Sequence, residues 1–329
     1  MAVISSPYPA LNIPRCNLLD YLFAEIKDGS DPLWIDAETP TECVSVNDTL
    51  SLIRRFGAGC EKLGVAKDAS IMVISPNQIC VPIIYLATAG TGRIYTAANP
   101  SYTVQELAHQ MKAMQPGLLL VHPGSLSNAL KAAQSAGTAR DRIFAFSPRP
   151  LTNATAQTQG VSDWRSMLAP EKDSRQWRWP TLSGNDSDRT AVVNFSSGTT
   201  GLPKGVCISH HNIVANASQI IHAHFADGRA TRSARWLVYL PWYHAYAQTF
   251  SIVVACKLRS RVFVMPRFKL EDYVVYMQRH RITTLQVVPP TLVSLSKRQS
   301  IRDNVGNPEE TLNTVEYVMS AAAPLKSAL

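Results

Sequence analysis

Between residues 45 and 150 the apolar positions switch repeatedly between two periods. Residues 50–63 place them at helical intervals, residues 70–75 (SIMVIS) form a short apolar run of strand length, and residues 81–89 are apolar nearly throughout, the pattern of a buried helix. The alternation then repeats. A strand at 94–95 leads into the turn Asn99-Pro100-Ser101, and Thr103 is placed to cap a helix over 104–114 with Glu106 at its third position. Residues 118–121, 126–136 and 143–146 continue as strand, helix and strand. Such alternation predicts a parallel sheet covered by helices.

Residues 148–188 interrupt this rhythm, being rich in Pro, Ser, Thr, Asn, Asp and charge, and they read as a linker or subdomain boundary. Beyond it come strands at 191–195, 236–240, 262–265 and 284–288, with helices at 211–225 and 270–280. The expected architecture is α/β, in two stacked subdomains: residues 1–188 with the linker, and residues 189–329. No short internal repeat is present.

Composition narrows the function. The chain of 329 residues is 46% hydrophobic and 17% charged, enough apolar material for one or two sizeable cores. Its net charge of +8 is spread out, with loose clusters around 175–189, 229–235 and 257–281. A nucleic-acid surface would concentrate that charge, so no nucleic-acid partner is expected, whereas a mildly positive field suits a phosphate-rich ligand. The six cysteines form no C-x-x-C pair and no zinc pattern, which predicts reduced structural thiols. The N-terminal residues lack the basic start and apolar core of a secretory signal, and the longest apolar stretch, 79–89, is too short to span a bilayer. A soluble chain without a transmembrane segment, cytoplasmic or peroxisomal, is expected. The final Ser-Ala-Leu differs from the peroxisomal Ser-Lys-Leu, and no address is read from it.

The most informative segment follows the strand at 191–195: Ser196-Ser197-Gly198-Thr199-Thr200-Gly201-Leu202-Pro203-Lys204-Gly205. Hydroxyls, glycines that let the backbone approach an anion, and one ammonium group together suit a polyphosphate. The spacing G-x-x-G-x-x-K-G matches neither G-x-x-x-x-G-K-[ST] nor G-x-G-x-x-G, which disfavours P-loop and dinucleotide folds. A solvated Ser/Gly surface loop is the plain alternative. Further candidates are His244, set among aromatics in Leu240-Pro241-Trp242-Tyr243-His244-Ala245-Tyr246, then Met265-Pro266-Arg267-Phe268, and the small-residue run Ser320-Ala321-Ala322-Ala323-Pro324.

The string SSGTTGLPKGV with the following His210-His211-Asn212 closely resembles the signature of the adenylate-forming (AMP-binding) superfamily, in the acyl- and aryl-CoA ligase branch that includes 4-coumarate-CoA ligases and their fungal relatives. Residues 240–247 resemble its P-x-x-H-x-x-[AG] segment, residues 318–325 its V-x-S-G-A-A-P-L, and residues 99–107 its N-P-x-Y-T-x-x-E-L. The resemblance implies the large N-terminal domain of that fold. It also implies ATP with Mg²⁺, CoA and a small carboxylic acid as reaction partners. By motif match, residues 196–204 would hold the phosphates, with Lys204 and His244 in catalytic roles and His244 orienting the carboxylate. Tyr246 and Trp242 would contact the acyl group, Arg267 would stand near CoA, and Ala322 and Ala323 would lie along the nucleotide. Ala321 replaces the family's usual Gly, a substitution that matters if the backbone there needs a positive φ.

The same resemblance implies what is not in these 329 residues: a Y-G-x-T-E segment, a ribose-binding Asp, and a small C-terminal domain with its Lys. The expectation is an acid-thiol ligase, probed against two alternatives. One is a truncated, catalytically inactive relative that retains a nucleotide loop. The other is a peptide-synthetase adenylation domain, less favoured because that group usually carries Ser-Gly-Ser-Thr-Gly and lacks the P-x-x-H segment.

Overall fold

A computed structural model describes residues 6, 8–26, 28–148, 158–196, 203–225, 234–296 and 312–324. In chain order its strands are β1 (Pro32–Asp36), β2 (Cys43–Ser45), β3 (Ser70–Ile74), β4 (Ile94–Ala98), β5 (Leu118–Val121), β6 (Ile143–Ala145), β7 (Thr190–Ser196), β8 (Lys204–Ser209), β9 (Arg235–Val238), β10 (Arg261–Val264), β11 (Thr284–Val287) and β12 (Tyr317–Ser320). They form two six-stranded sheets, ordered β6-β5-β3-β4-β7-β8 and β12-β11-β9-β10-β1-β2. Each is parallel except at one edge, where β8 runs antiparallel to β7 and β2 antiparallel to β1.

The first sheet shows why its strands read as unbroken apolar runs. Every residue of β3 is buried because both faces are covered. Met72 and Ile74 face the helices Val104–Met114 and Leu126–Ala136, while Ile71 and Val73 face a core shared with the second sheet, including Trp34 and Trp236. The helix Val81–Gly90 lies wholly inside, as its continuous apolar sequence requires. Thr103 and Glu106 make the reciprocal capping box that starts the next helix, with Thr103 Oγ1 accepting from the Glu106 amide and Glu106 Oε2 accepting from Thr103.

The sheets do not divide near residue 189. β7 and β8 lie beyond that point yet extend the first sheet, and β1 and β2 lie far before it yet complete the second. The reason is pairing: β7 finds its parallel neighbour in β4, and β1 finds its own in β10. Nor do the described residues of 158–188 behave as a linker. Trp164 is 1% exposed and packs edge-on against Phe146, and the Trp179 indole donates to Asp20. Arg55 and Ala169 exchange two hydrogen bonds that stitch the segment to the helix Val46–Lys62. All six cysteines are free thiols, and among the described residues no helix is long and apolar enough to cross a membrane.

Candidate active site

The loops that leave the carboxyl ends of parallel strands converge on one cavity of about 830 Å³. From the first sheet come Asn77 after β3 and Asn99 to Ser101 after β4; from the second come Tyr239 to Pro241, Tyr243, His244, Tyr246 and Ala247 after β9, Pro266 to Phe268 after β10, Val288 after β11 and Ala322 after β12. Open α/β sheets place their ligands at this end, where the loops are free to vary above a fixed scaffold. Here both sheets contribute, and the wall is mostly apolar and aromatic.

His244 stands in this wall on an exposed turn. Its amide donates to the Pro241 carbonyl and its own carbonyl accepts from Gln248, so the backbone on either side is fixed. The imidazole meets the Tyr243 ring edge-on at 4.7 Å. Partial burial lowers its pKa, favouring the neutral ring, which offers one N–H donor to an incoming anion. Tyr246 also lines the cavity. Its hydroxyl donates to the Met319 carbonyl at 3.2 Å, and burial pushes its pKa up to about 12, so the phenol stays a neutral donor. Tyr243, which the sequence groups with Trp242 and Tyr246 as suited to an aryl or medium-chain acyl group, lines the cavity too, its pKa raised by burial and by nearby Tyr102.

Trp242 is placed differently from the expectation. It is 1% exposed and absent from the cavity lining, with its indole N–H donating to Ser251 and its ring edge-on to Trp34 of β1. Residues 242–244 form a turn, in which Tyr243 and His244 face the cavity while Trp242 packs into the core shared by the two sheets. Arg267 does line the cavity, exposed after β10.

The backbone at Ala321 does not take a positive φ; its neighbour Ala322 does, at 72°. Ala322 lines the cavity and Ala323 is exposed outside the lining.

The phosphate-loop string joins the antiparallel strands β7 and β8, which pair in register down to Ser196 opposite Lys204. Ser197, Gly198, Thr199, Thr200, Gly201 and Leu202 lie outside the described residues. Of the described members, Ser196 and Lys204 end the hairpin ladder and do not line the large cavity, whereas Pro203 lines a smaller one of about 220 Å³ together with Tyr102, His109 and Phe195. His109 Nε2 lies 3.3 Å from the Pro203 carbonyl, tying the returning arm of the hairpin to the helix Val104–Met114. Tyr102 lines the smaller cavity and is close enough to Tyr243 to influence its hydroxyl. Among the described residues no group of three or more His, Cys, Asp or Glu side chains could hold a metal ion.

Three buried amides of the site carry no motif: Asn77, Asn194 and Gln248. Asn77 grips the Leu240 carbonyl and the Trp242 amide, and Gln248 grips the Trp242 carbonyl and Asn194. The only signal for them in the sequence is a polar residue inside an otherwise apolar run, visible at Asn194 within β7.

A family model described as AMP-binding enzyme matches residues 35–329. Among curated proteins, the chain is 28% identical over 321 residues to the phenylacetyl-CoA ligase epaB of Aspergillus niger, covering 96% of this chain and 57% of that protein. It is 25% identical to 4-coumarate-CoA ligase 5 of Oryza sativa subsp. japonica, covering 98% and 56% respectively. The chain thus spans a little over half the length of these relatives. In fold it is similar to the anthranilate CoA ligase AuaEII in complex with anthranoyl-AMP (TM-score 0.78, 13% identity, 96% of this chain and 56% of that one). It is likewise similar to ATP-bound MatB from Rhodopseudomonas palustris (TM-score 0.75, 20% identity, 95% and 56%).

Proposed function

Because the chain belongs to the AMP-binding enzyme family, we propose that it serves the ATP-dependent activation of a carboxylic acid and its transfer to CoA. In the first step a carboxylate oxygen bonds to the α-phosphorus of ATP as the bond to the β-phosphate oxygen breaks, giving an acyl-adenylate and pyrophosphate. In the second the CoA thiol, losing its proton, bonds to the acyl carbon and AMP departs. The observation that carries this reading is His244, its backbone fixed at both ends and its ring favoured neutral, in the wall of an apolar cavity at the shared carboxyl ends of both sheets.

Each group has a physical task. His244 donates to the carboxylate and fixes the oxygen that attacks, a preorganised donor of the kind that lowers barriers most. Residues 196–204 cradle the phosphates and Lys204 offsets their charge at the mouth of the hairpin. Tyr243, Tyr246, Tyr239 and Phe268 give the cavity flat apolar walls, which favour an aryl or medium-chain acyl group. Ala322 and Ala323 run beside the nucleotide, and Arg267 supplies a fixed positive charge for CoA. Mg²⁺, when bound, would take much of its coordination from phosphates and water, the usual arrangement for this ion, and would offset phosphate charge.

Pyrophosphate exchange into ATP, run with a panel of aryl and fatty acids, tests the reading. In a protein that joins these residues to the Y-G-x-T-E segment and the small C-terminal domain, exchange is expected with at least one acid and should fall about 100-fold or more in His244→Ala and in Lys204→Ala, the scale of losing a transition-state donor. Unchanged exchange in both variants would refute the assigned roles. ATP binding without exchange for any acid would favour a non-catalytic nucleotide-binding relative.

A further inference from the structure

We propose that Asn194 and Gln248 form an internal coupling that holds the His244 turn in register with the phosphate hairpin, with Asn77 anchoring the same turn from the first sheet. Its purpose rests on the ligase reading above; its existence rests on geometry alone.

The two amides pair reciprocally: Asn194 Nδ2 donates to Gln248 Oε1 at 2.8 Å, and Gln248 Nε2 donates to Asn194 Oδ1 at 3.1 Å. Both are buried, at 8% and 2% exposure. Gln248 Nε2 also donates to the Trp242 carbonyl at 2.8 Å, and its backbone amide donates to the His244 carbonyl at 3.1 Å. One residue therefore closes the turn from both ends. From the other side Asn77 accepts from the Trp242 amide at 3.0 Å and donates to the Leu240 carbonyl at 2.9 Å. The peptide groups flanking Trp242 are consequently held by side chains of both sheets.

Asn194 stands two residues before Ser196 on β7, so the two share a face of the strand. A movement of the hairpin as it takes up phosphate is passed along β7 to Asn194, across the amide pair to Gln248, and so to the turn that presents His244 and Tyr246. An apolar pair of similar size could fill this part of the core at no loss of burial. An amide pair instead fixes both partners to one relative position, since a shift of either leaves buried donors and acceptors unmade.

Hydrogen exchange of the 329-residue chain, resolved by segment, tests the coupling through Gln248→Met, Asn194→Val and the swapped pair Asn194→Gln/Gln248→Asn. Without ligand, each single variant is expected to speed exchange at least five-fold in both 241–248 and 190–196, whichever partner is changed, while the helix Leu126–Ala136 is unaffected. The swap should restore much of the protection. With ATP added, the wild type should gain protection in the hairpin and in 241–248 together, and Gln248→Met in the hairpin alone. Acceleration confined to the mutated partner's own segment, or ATP protection of 241–248 that persists in Gln248→Met, would overturn the coupling. If one variant fails to fold, the other reads the same link from the opposite side. A wild type indifferent to ATP would count against the nucleotide reading, and the ligand-free exchange would then decide the coupling by itself.

Discussion

His210 shows how one residue can tie stability to pH without touching the site. It opens the helix His210–Phe225, is 2% exposed, and its Nδ1 accepts from the Leu18 amide at 3.1 Å, which requires the neutral ring. Burial, helped by the Arg189 charge, lowers its pKa to about 4. The unfolded chain takes up this proton near pH 6.5 and the folded chain only near 4, so the contribution is present above 6.5 and is lost as the pH falls through that window. Urea unfolding at pH 7 and pH 4.5 should show His210→Gln losing less stability on acidification than the wild type, by on the order of 2–3 kcal/mol. A second residue-scale outcome concerns Ala322, whose φ of 72° suits glycine better. Ala322→Gly is expected to raise stability by about 0.5–1 kcal/mol in the same assay, because the left-handed region costs an L-residue roughly 1–2 kcal/mol. The need for a glycine-like backbone was legible in the small-residue run, but its place was not, since neighbouring alanines differ only in torsions set by the Val287 and Met319 contacts around them. Trp242 was misplaced for a related reason: an aromatic beside a candidate histidine serves core and pocket equally well until the facing element, here Trp34, is known.

At the scale of elements, local signals were read well wherever the chain decides locally. The capping box at Thr103 and Glu106 marks the start of its helix, and Thr103→Ala should lower urea stability by about 1 kcal/mol. β1 and β2 escaped notice because they are short and β1, on which β2 pairs, joins its sheet through a partner far along the chain, and β8 was hidden inside a string whose glycines and lysine speak of a loop. The segment after residue 158 was misread because its polar composition masks a few large anchors. Gly59 of the helix Val46–Lys62 records how closely that segment lies, since a β-carbon there would collide with the Met167 carbonyl. Gly59→Ala is therefore expected to destabilise by about 1–3 kcal/mol, read as a lower thermal midpoint with earlier proteolysis in 158–188. An unchanged midpoint would show that the segment is loosely held.

For the whole molecule, the main consequence is that the two sheets share one core. Trp34, Ile71, Val73 and Trp236 lie in the same apolar cluster, and the candidate site draws on loops of both sheets. Residues 1–188 expressed alone would leave β4 without β7 and β1 without β10, and no cooperative urea transition is expected by circular dichroism. A sharp transition would show that the first sheet folds by itself. α/β architecture was legible from periodicity, whereas the interleaving of the sheets was not, because apolar runs do not name their partners. That interleaving also sets a schedule on the ribosome. Trp34 emerges early but its partner Val262 only much later, a delay of roughly 10–50 s at ordinary rates of synthesis. Throughout that interval Leu33, Trp34 and Ile35 have only β2 to pair with, so this short stretch stays uncovered apolar surface until β10 has been made.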